Sequence, residues 1–417
     1  MLKLYFCFPY RGVGGVSLLF LRVAEFLSQF RYAECHLVDY VDGFMAKNLR
    51  GQGVILEIYQ DEGTPVVIPA GAIGIFQSMT PWSMFPGIRP DPASRIFFWN
   101  CYPYNLIPLL PGLRRAMQHR PAFARWVLAT MLRTYLQKML RLVNLMLYKN
   151  ALVFMDSANL ITTSKFLGVS IPRPCYLPIP VHASGDKRAI LMQRDLKANG
   201  LKVVWVGRVV DFKFFILQRS LIELNRLAPR LRIKITVILV GSGDYRQALK
   251  QTTSNLPHLN CEFFDYVAPA DLDEFLISRA DLLFAMGTSA LEGARLGIPT
   301  LLLDVAYGPV SADYVFRWIY EREGFSLGDI LSESNYIKGN TSLEDRITDL
   351  AGDFSRISAR CLGYFEENHE MSRVAVKLMR YLERTTCTYA DMQRAGLIGR
   401  GIIYSLFVGI RRRIVKL

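Results

Sequence analysis

Short apolar runs separated by turn residues recur along the chain and fall into two series. Leu2 to Phe8 is apolar but for Lys3 and stops at Pro9. Gly12-Val13-Gly14-Gly15-Val16 then reads as the turn into a helix carrying Leu18, Leu21, Ala24 and Phe26. Runs at Cys35 to Val38, Val66 to Ile68, Ile73 to Phe76 and Ile96 to Trp99 predict the strands of a mostly parallel sheet. Thr162 to Val181, with Pro172, Pro174, Pro178 and Pro180, reads as a linker. The second series has strands at Val203 to Val206, Lys234 to Val240, Glu262 to Phe264, Leu282 to Ala285 and Thr300 to Asp304. Helical patterns such as Ile216 to Leu227 and Pro269 to Ser278 alternate with them, and helical spacing returns from Leu343 to Arg384. The expected boundaries are 1–180, 181–370 and a C-terminal piece, 371–417, made of a helix crossing back and a basic tail. Two open sheets facing each other would place a ligand cleft between the carboxyl ends of their strands.

Composition adds a surface to this frame. With 417 residues and 51% hydrophobic composition the chain can bury large cores. The formal charge of +14 resides in two acid-free segments, Pro111 to Met155 and Met392 to Leu417. The first holds Arg114, Arg115, Arg120, Arg125, Arg133, Lys138, Arg141 and Lys149; the second holds Arg394, Arg400, Arg411, Arg412, Arg413 and Lys416. A helix over 120–150 gathers Arg133, Thr134, Gln137, Lys138, Arg141, Asn144 and Lys149 within an arc of about 160°. Leu128, Leu132, Leu136, Met139, Leu140, Val143, Met146 and Leu147 fill its other side. Two readings stay open: an interfacial helix on an acidic membrane surface, and a surface helix with its apolar face on the core. The tail from Gly401 to Ile410 is too short to cross a bilayer, and its apolar character before Arg411 points to membrane association. Aliphatic stripes without interleaved aromatics argue against a nucleic-acid partner.

Cys7, Cys35, Cys101, Cys175, Cys261, Cys361 and Cys387 form no close pair and no metal-ligand spacing, as expected of reduced thiols. Leu2 to Phe8 reads as a buried strand in place of a signal peptide. The expected location is the cytoplasmic, inner face of the plasma membrane.

Two motifs carry chemistry. Gly207-Arg208-Val209-Val210-Asp211-Phe212-Lys213 follows a strand and brings two cations within reach of one anion. Met286-Gly287-Thr288-Ser289-Ala290-Leu291-Glu292-Gly293, running on to Gly297-Ile298-Pro299, combines backbone donors at a helix start with one carboxylate. Ser289 and Glu292 also fit a capping box. Gly241-Ser242-Gly243-Asp244 is a glycine turn after a third strand, either a nucleotide approach or an ordinary turn.

From Val203 to about Pro309 these blocks resemble the nucleotide-binding domain of GT-B glycosyltransferases, most closely the family 4 group. The N-terminal half resembles the acceptor domain through Gly14-Gly15-Val16 and Leu160-Ile161-Thr162-Thr163-Ser164, so that the likeness covers most of residues 1–385. It implies an α/β GT-B fold: two Rossmann-like open sheet domains facing across a cleft, with a basic amphipathic C-terminal tail. It also implies that Arg208 and Lys213 stabilise the leaving diphosphate and that Glu292 binds the donor ribose. Gly14, Gly15, Gly207, Gly241, Gly287, Thr288 and Ser289 would approach the donor, and the Val267 backbone its base. The family's second glutamate, eight residues before the ribose-binding one, is replaced by Phe284, with Asp281 as either substitute or strand-initial residue. The histidine of the family's acceptor loop is absent, leaving Asn100, Tyr102 and Asn105 as acceptor-binding candidates and no nameable base among His36, His119, His182, His258 and His369.

The expected function is transfer of a sugar from a nucleotide diphosphate donor to a lipid-linked or oligosaccharide acceptor in cell-surface polysaccharide synthesis, with no metal or further cofactor. The alternative is a non-catalytic GT-B module that binds nucleotide or glycan as a membrane scaffold. A GT-B epimerase would need a paired acid and base that the sequence does not display.

Overall fold

The computed structural model describes residues 1–12, 14–77, 85–107, 113, 116, 117, 120–185, 200–331 and 341–398. Arg114, Arg115 and the tail residues Arg400, Arg411, Arg412, Arg413 and Lys416 lie outside them. Two compact units are present, one from Met1–Pro180 together with the chain from Met371, the other Val181–Glu370.

The first unit contains β1 (Leu2–Cys7), β2 (Ala33–Asp39), β3 (Val54–Ile58), β4 (Val66–Ile68), β5 (Ile73–Gln77), β6 (Ile88–Pro90), β7 (Arg95–Asn100) and β8 (Leu152–Phe154). Six form a parallel sheet in the order β3-β2-β1-β5-β7-β8, while β4 and β6 pair separately. Alternation along β1 sends Leu4 and Phe6 into one core and Tyr5 and Cys7 into another. Helices Gly15–Gln29 and Met371–Arg384 cover the first face, and the helix Arg133–Tyr148 covers the second. Burial on both faces explains why these strands read as continuous apolar runs.

The second unit contains β9 (Leu201–Val206), β10 (Ile235–Val240), β11 (Leu259–Phe264), β12 (Leu282–Ala285), β13 (Thr300–Leu302) and β14 (Arg317–Trp318). Their order is β11-β10-β9-β12-β13-β14, parallel except for the antiparallel β14.

Several expectations change. The reading by apolar runs misses β3, β6, β8 and β14, which are short or half-exposed. The supposed linker starts too early, because Thr162 to Leu167 completes the helix Ser157–Leu167. The single helix over 120–150 is two, Pro121–Ala129 and Arg133–Tyr148. At the break, the Thr130 hydroxyl donates to the Trp126 carbonyl at 2.8 Å, a local bond that competes with continuation of the helix. Met139, Leu142, Val143 and Met146 face the unit's own core, so Arg133–Tyr148 is a surface helix and not an interfacial one. Lys149 pairs with Asp391 at 3.4 Å, so its charge is already matched within the unit.

Candidate functional site

In the second unit the strand order reverses between β9 and β12. Such a switch point, outside the carboxyl ends of the strands, is the usual ligand position in an open parallel sheet. The predicted donor residues of this unit all follow carboxyl ends of its strands: Gly207, Arg208 and Lys213 after β9, Gly241 after β10, Val267 after β11, and Gly287, Thr288, Ser289 and Glu292 after β12.

Lys213 stands in the first turn of the helix Asp211–Leu231, its N–H donating to the Val210 carbonyl at 3.0 Å. Its ammonium lies 3.2 Å from the point where a Cβ on Gly207 would stand, and Ser289 Oγ lies 3.9 Å from that same point. The β9 and β12 loops therefore meet around the bare Gly207 backbone. Trp205 forms the floor: its indole N–H donates to the Gly207 carbonyl at 3.3 Å, and Lys213 Nζ is 5.6 Å from its ring centroid. Burial, aided by the positive charge of Arg208, pulls the Lys213 ammonium down to about 8. Neither Lys213 nor the exposed Arg208 has an acidic partner among the described residues. Holding a part-buried cation beside another cation is costly, and an arriving polyanion would relieve that cost.

The glycines divide into two roles. A Cβ on Gly241 would overlap the Gly207 carbonyl, and one on Gly243 would overlap that of Val209. The β9 and β10 loops are zipped backbone to backbone, Val209 N–H to Ser242 O at 2.9 Å and Tyr245 N–H to Val209 O at 3.1 Å. Gly241 thus supports the loop that carries Arg208. Gly287, with φ 64° and ψ −146°, turns the chain from β12 into the helix Thr288–Ala294 in a conformation open to glycine. The N–H groups of Gly207, Gly241 and Gly287 are already given to Val240, Phe264 and Leu327, which corrects the expectation that Gly287 offers its N–H to phosphate. Thr288 and Ser289 remain at the start of that helix, where the first N–H groups lack intrahelical acceptors.

The capping box does not form, since Gly287 is the N-cap without a side-chain bond. Glu292 instead accepts from Arg295 Nε at 2.6 Å, and Arg295 in turn grips Asp273 through Nη1 at 3.0 Å and through Nη2. Arg295, Asp273 and Trp205 escaped the sequence reading. Only Arg295 left a local trace, three residues beyond Glu292 on one helical face.

Phe284 lies inside β12, fully buried, paired in register with Trp205 and 6.5 Å from the Phe316 ring. The family's glutamate position therefore falls within the sheet and not on its rim. Asp281 sits at the amino end of β12, where its carboxylate accepts from Lys202 N–H at 2.8 Å; it ties strands together and cannot replace that glutamate. Val267 is half-buried beyond β11, next to the 72% exposed Tyr266.

In the first unit, Gly14 caps the helix Gly15–Gln29 and Gly15 is exposed with open space around it. The buried Asp39 carboxylate steadies the neighbouring loops by accepting from Tyr10, Tyr40, Met45 and Ala46 N–H groups. Asn100 is not available to an acceptor: it is fully buried and its amide donates to Thr163 Oγ1 at 3.4 Å. Tyr102 and Asn105 are half-buried on the following loop, and the Asn105 amide nitrogen has no hydrogen-bond partner among the described residues. On the helix Pro121–Ala129, Phe123 and Trp126 are each more than half exposed, with rings stacked at 6.0 Å, and Arg120, Arg125 and Arg133 are exposed nearby.

No protein-family model matches this sequence, and no curated protein matches it. Solved structures do. A glycosyltransferase from Rickettsia africae ESF-5 is similar over 92% of this chain and 98% of its own, with 12% identity and a TM-score of 0.52. WaaG, a glycosyltransferase involved in lipopolysaccharide biosynthesis, is 15% identical over 96% of this chain and 100% of its own, with a TM-score of 0.41. WaaB, a lipopolysaccharide outer core galactosyltransferase, is 12% identical over 93% of this chain and 100% of its own, with a TM-score of 0.45. At such identities likeness speaks to fold alone, and the first of these carries it: the fold is that of the GT-B glycosyltransferases.

Proposed function

We propose that this protein is a glycosyltransferase that moves a sugar from a nucleoside diphosphate donor to a lipid-linked glycan of a cell-surface polysaccharide, working at the inner face of the plasma membrane. The observation that carries the reading is the pair Arg208 and Lys213, cations at the switch point of an open sheet with no acidic partner among the described residues. A diphosphate seated there supplies the missing charge. As the bond from sugar to phosphate breaks, negative charge grows on the departing diphosphate, and a part-buried ammonium opposes little solvent competition in stabilising it. Thr288 and Ser289 add backbone donors, and Glu292 offers the carboxylate expected to hold ribose.

The direct test incubates the protein with UDP-, GDP- and ADP-sugars and lipid extract, following nucleoside diphosphate release and label transfer to lipid. One donor should be turned over. Binding without release would favour the scaffold reading.

The lysine sets a pH dependence. Its charged form attracts the diphosphate, and in the free protein that form is lost as pH rises through about 8. Donor kcat/KM should therefore decline above pH 8, approaching a tenfold loss per pH unit. Lys213→Arg, whose charge persists, should lack this limb even if its maximum is lower. An identical limb in both proteins would assign the titration elsewhere.

Membrane contact is assigned to Phe123 and Trp126 with their flanking arginines, since the apolar face of Arg133–Tyr148 is already buried. No helix among the described residues is long and apolar enough to cross a membrane. The double variant Phe123→Ser, Trp126→Ser should bind anionic vesicles about tenfold more weakly or worse, the loss expected for two inserted aromatic side chains. Unchanged vesicle flotation would remove this contact from the proposal. A cut after Ile398 tests the tail separately and spares Met392 and Leu397, both fully buried.

A further inference from the structure

The Glu292 carboxylate has a support that the proposed donor site does not itself require, and its geometry is specific. Arg295 lies between two carboxylates from different helices, Asp273 on Leu272–Arg279 and Glu292 on Thr288–Ala294. Its side chain is only 11% exposed, and those of Asp273 and Glu292 are 15% and 21% exposed. The guanidinium divides its donors: Nε serves Glu292 Oε2, while Nη1 and Nη2 serve the two oxygens of Asp273. Glu292 Oε1 has no hydrogen-bond partner among the described residues.

We infer that Arg295 is a positioning residue for Glu292, fixed by Asp273 so that one carboxylate oxygen is held and the other is presented to the donor ribose. The inference rests on the donor-site reading above. Its physical basis is that a carboxylate on a seven-residue helix, at a rim bearing the cations Arg208 and Lys213, has other favourable rotamers. A charge-assisted bond to a guanidinium that is itself clamped removes them. Only arginine can do this, because a lysine ammonium is a point charge and cannot span both carboxylates in one plane. Arg295 touches no reacting atom in this arrangement; it acts through Glu292.

The test measures binding of UDP, GDP and ADP by calorimetry, and then of the 2′-deoxy counterpart of the tightest ligand. In the wild type the ribonucleotide should bind about tenfold more tightly, the worth of a charge-assisted hydrogen bond to the hydroxyl. In Arg295→Lys and Arg295→Ala that preference should fall to less than about twofold, with affinity for the deoxynucleotide little changed. Asp273→Asn, which loosens the clamp but leaves the bond to Glu292, should reduce it partway and serves as the probe if both Arg295 variants fail to fold. A folded Arg295→Lys protein that keeps the full preference would overturn the positioning role while leaving the donor site intact. A wild type without any preference, or a Glu292→Gln variant that retains it, would overturn the ribose contact itself, and the inference with it.

Discussion

Replacing Lys213 by methionine is expected to lower donor turnover about 100- to 1000-fold and at the same time to stabilise the folded protein. The two effects have one cause. Burial and Arg208 hold the ammonium at about 8, well below an ordinary lysine, so the charged form is disfavoured in the folded chain. Because the folded value is the lower one, the cost is fully present below pH 8 and fades as pH rises toward the unfolded value near 10.4. Methionine keeps a similar length beside the Trp205 ring while removing the charge. The gain at neutral pH should be about 2 kcal/mol, allowing for the water that still reaches this side chain. Calorimetric melting at pH 7 and pH 9.5 checks it, since the variant's advantage should shrink at the higher pH. Donor turnover under the same conditions checks the other half. A variant that is stabilised yet fully active would show that the lysine's charge does not serve the reaction.

Phe284→Glu should not restore a missing catalytic group; it should unfold the second unit. The side chain at 284 is wholly enclosed in a strand buried on both faces, beside Trp205 and Phe316. Losing the ring alone costs about 3–5 kcal/mol, and leaving an ionised carboxylate unpaired in that site adds several more. Domain stabilities are typically about 5–15 kcal/mol, so little or nothing remains. The expected result is insoluble protein or loss of the cooperative melt, whereas Phe284→Leu should remain folded. A soluble Phe284→Glu protein with raised turnover would show instead that position 284 can reach the reacting sugar.

The contrast between Lys213 and Phe284 shows how far spacing along the chain can be taken. Lys213 could be found because it follows a glycine at a strand end, and the end of a buried parallel strand is visible as the end of an apolar run. Phe284 stands at the glutamate's place only in the sense that it lies eight residues before Glu292. Counting is safe within one element but not across a loop whose length can change, and here the count runs through the turn at Gly287 into β12. Gly287 itself shows a second limit. Its place at a helix start was legible, but the partner of its N–H, the Leu327 carbonyl, comes from a distant segment.

By itself, the sequence determined the two α/β series, the strands buried on both faces and the concentration of chemistry after β9 and β12, because apolar periodicity and glycine turns are local consequences of backbone geometry. It also showed where the charge excess lies, since charge is additive along a chain. Tertiary structure alone decided which residues can act. It enclosed Asn100, committed Lys149 to Asp391, turned Met139 and Met146 inward while leaving Phe123 and Trp126 exposed, and set Asp273 against Arg295. Each of those outcomes depends on desolvation and on contacts between segments far apart in sequence, and neither is encoded in the spacing of neighbours.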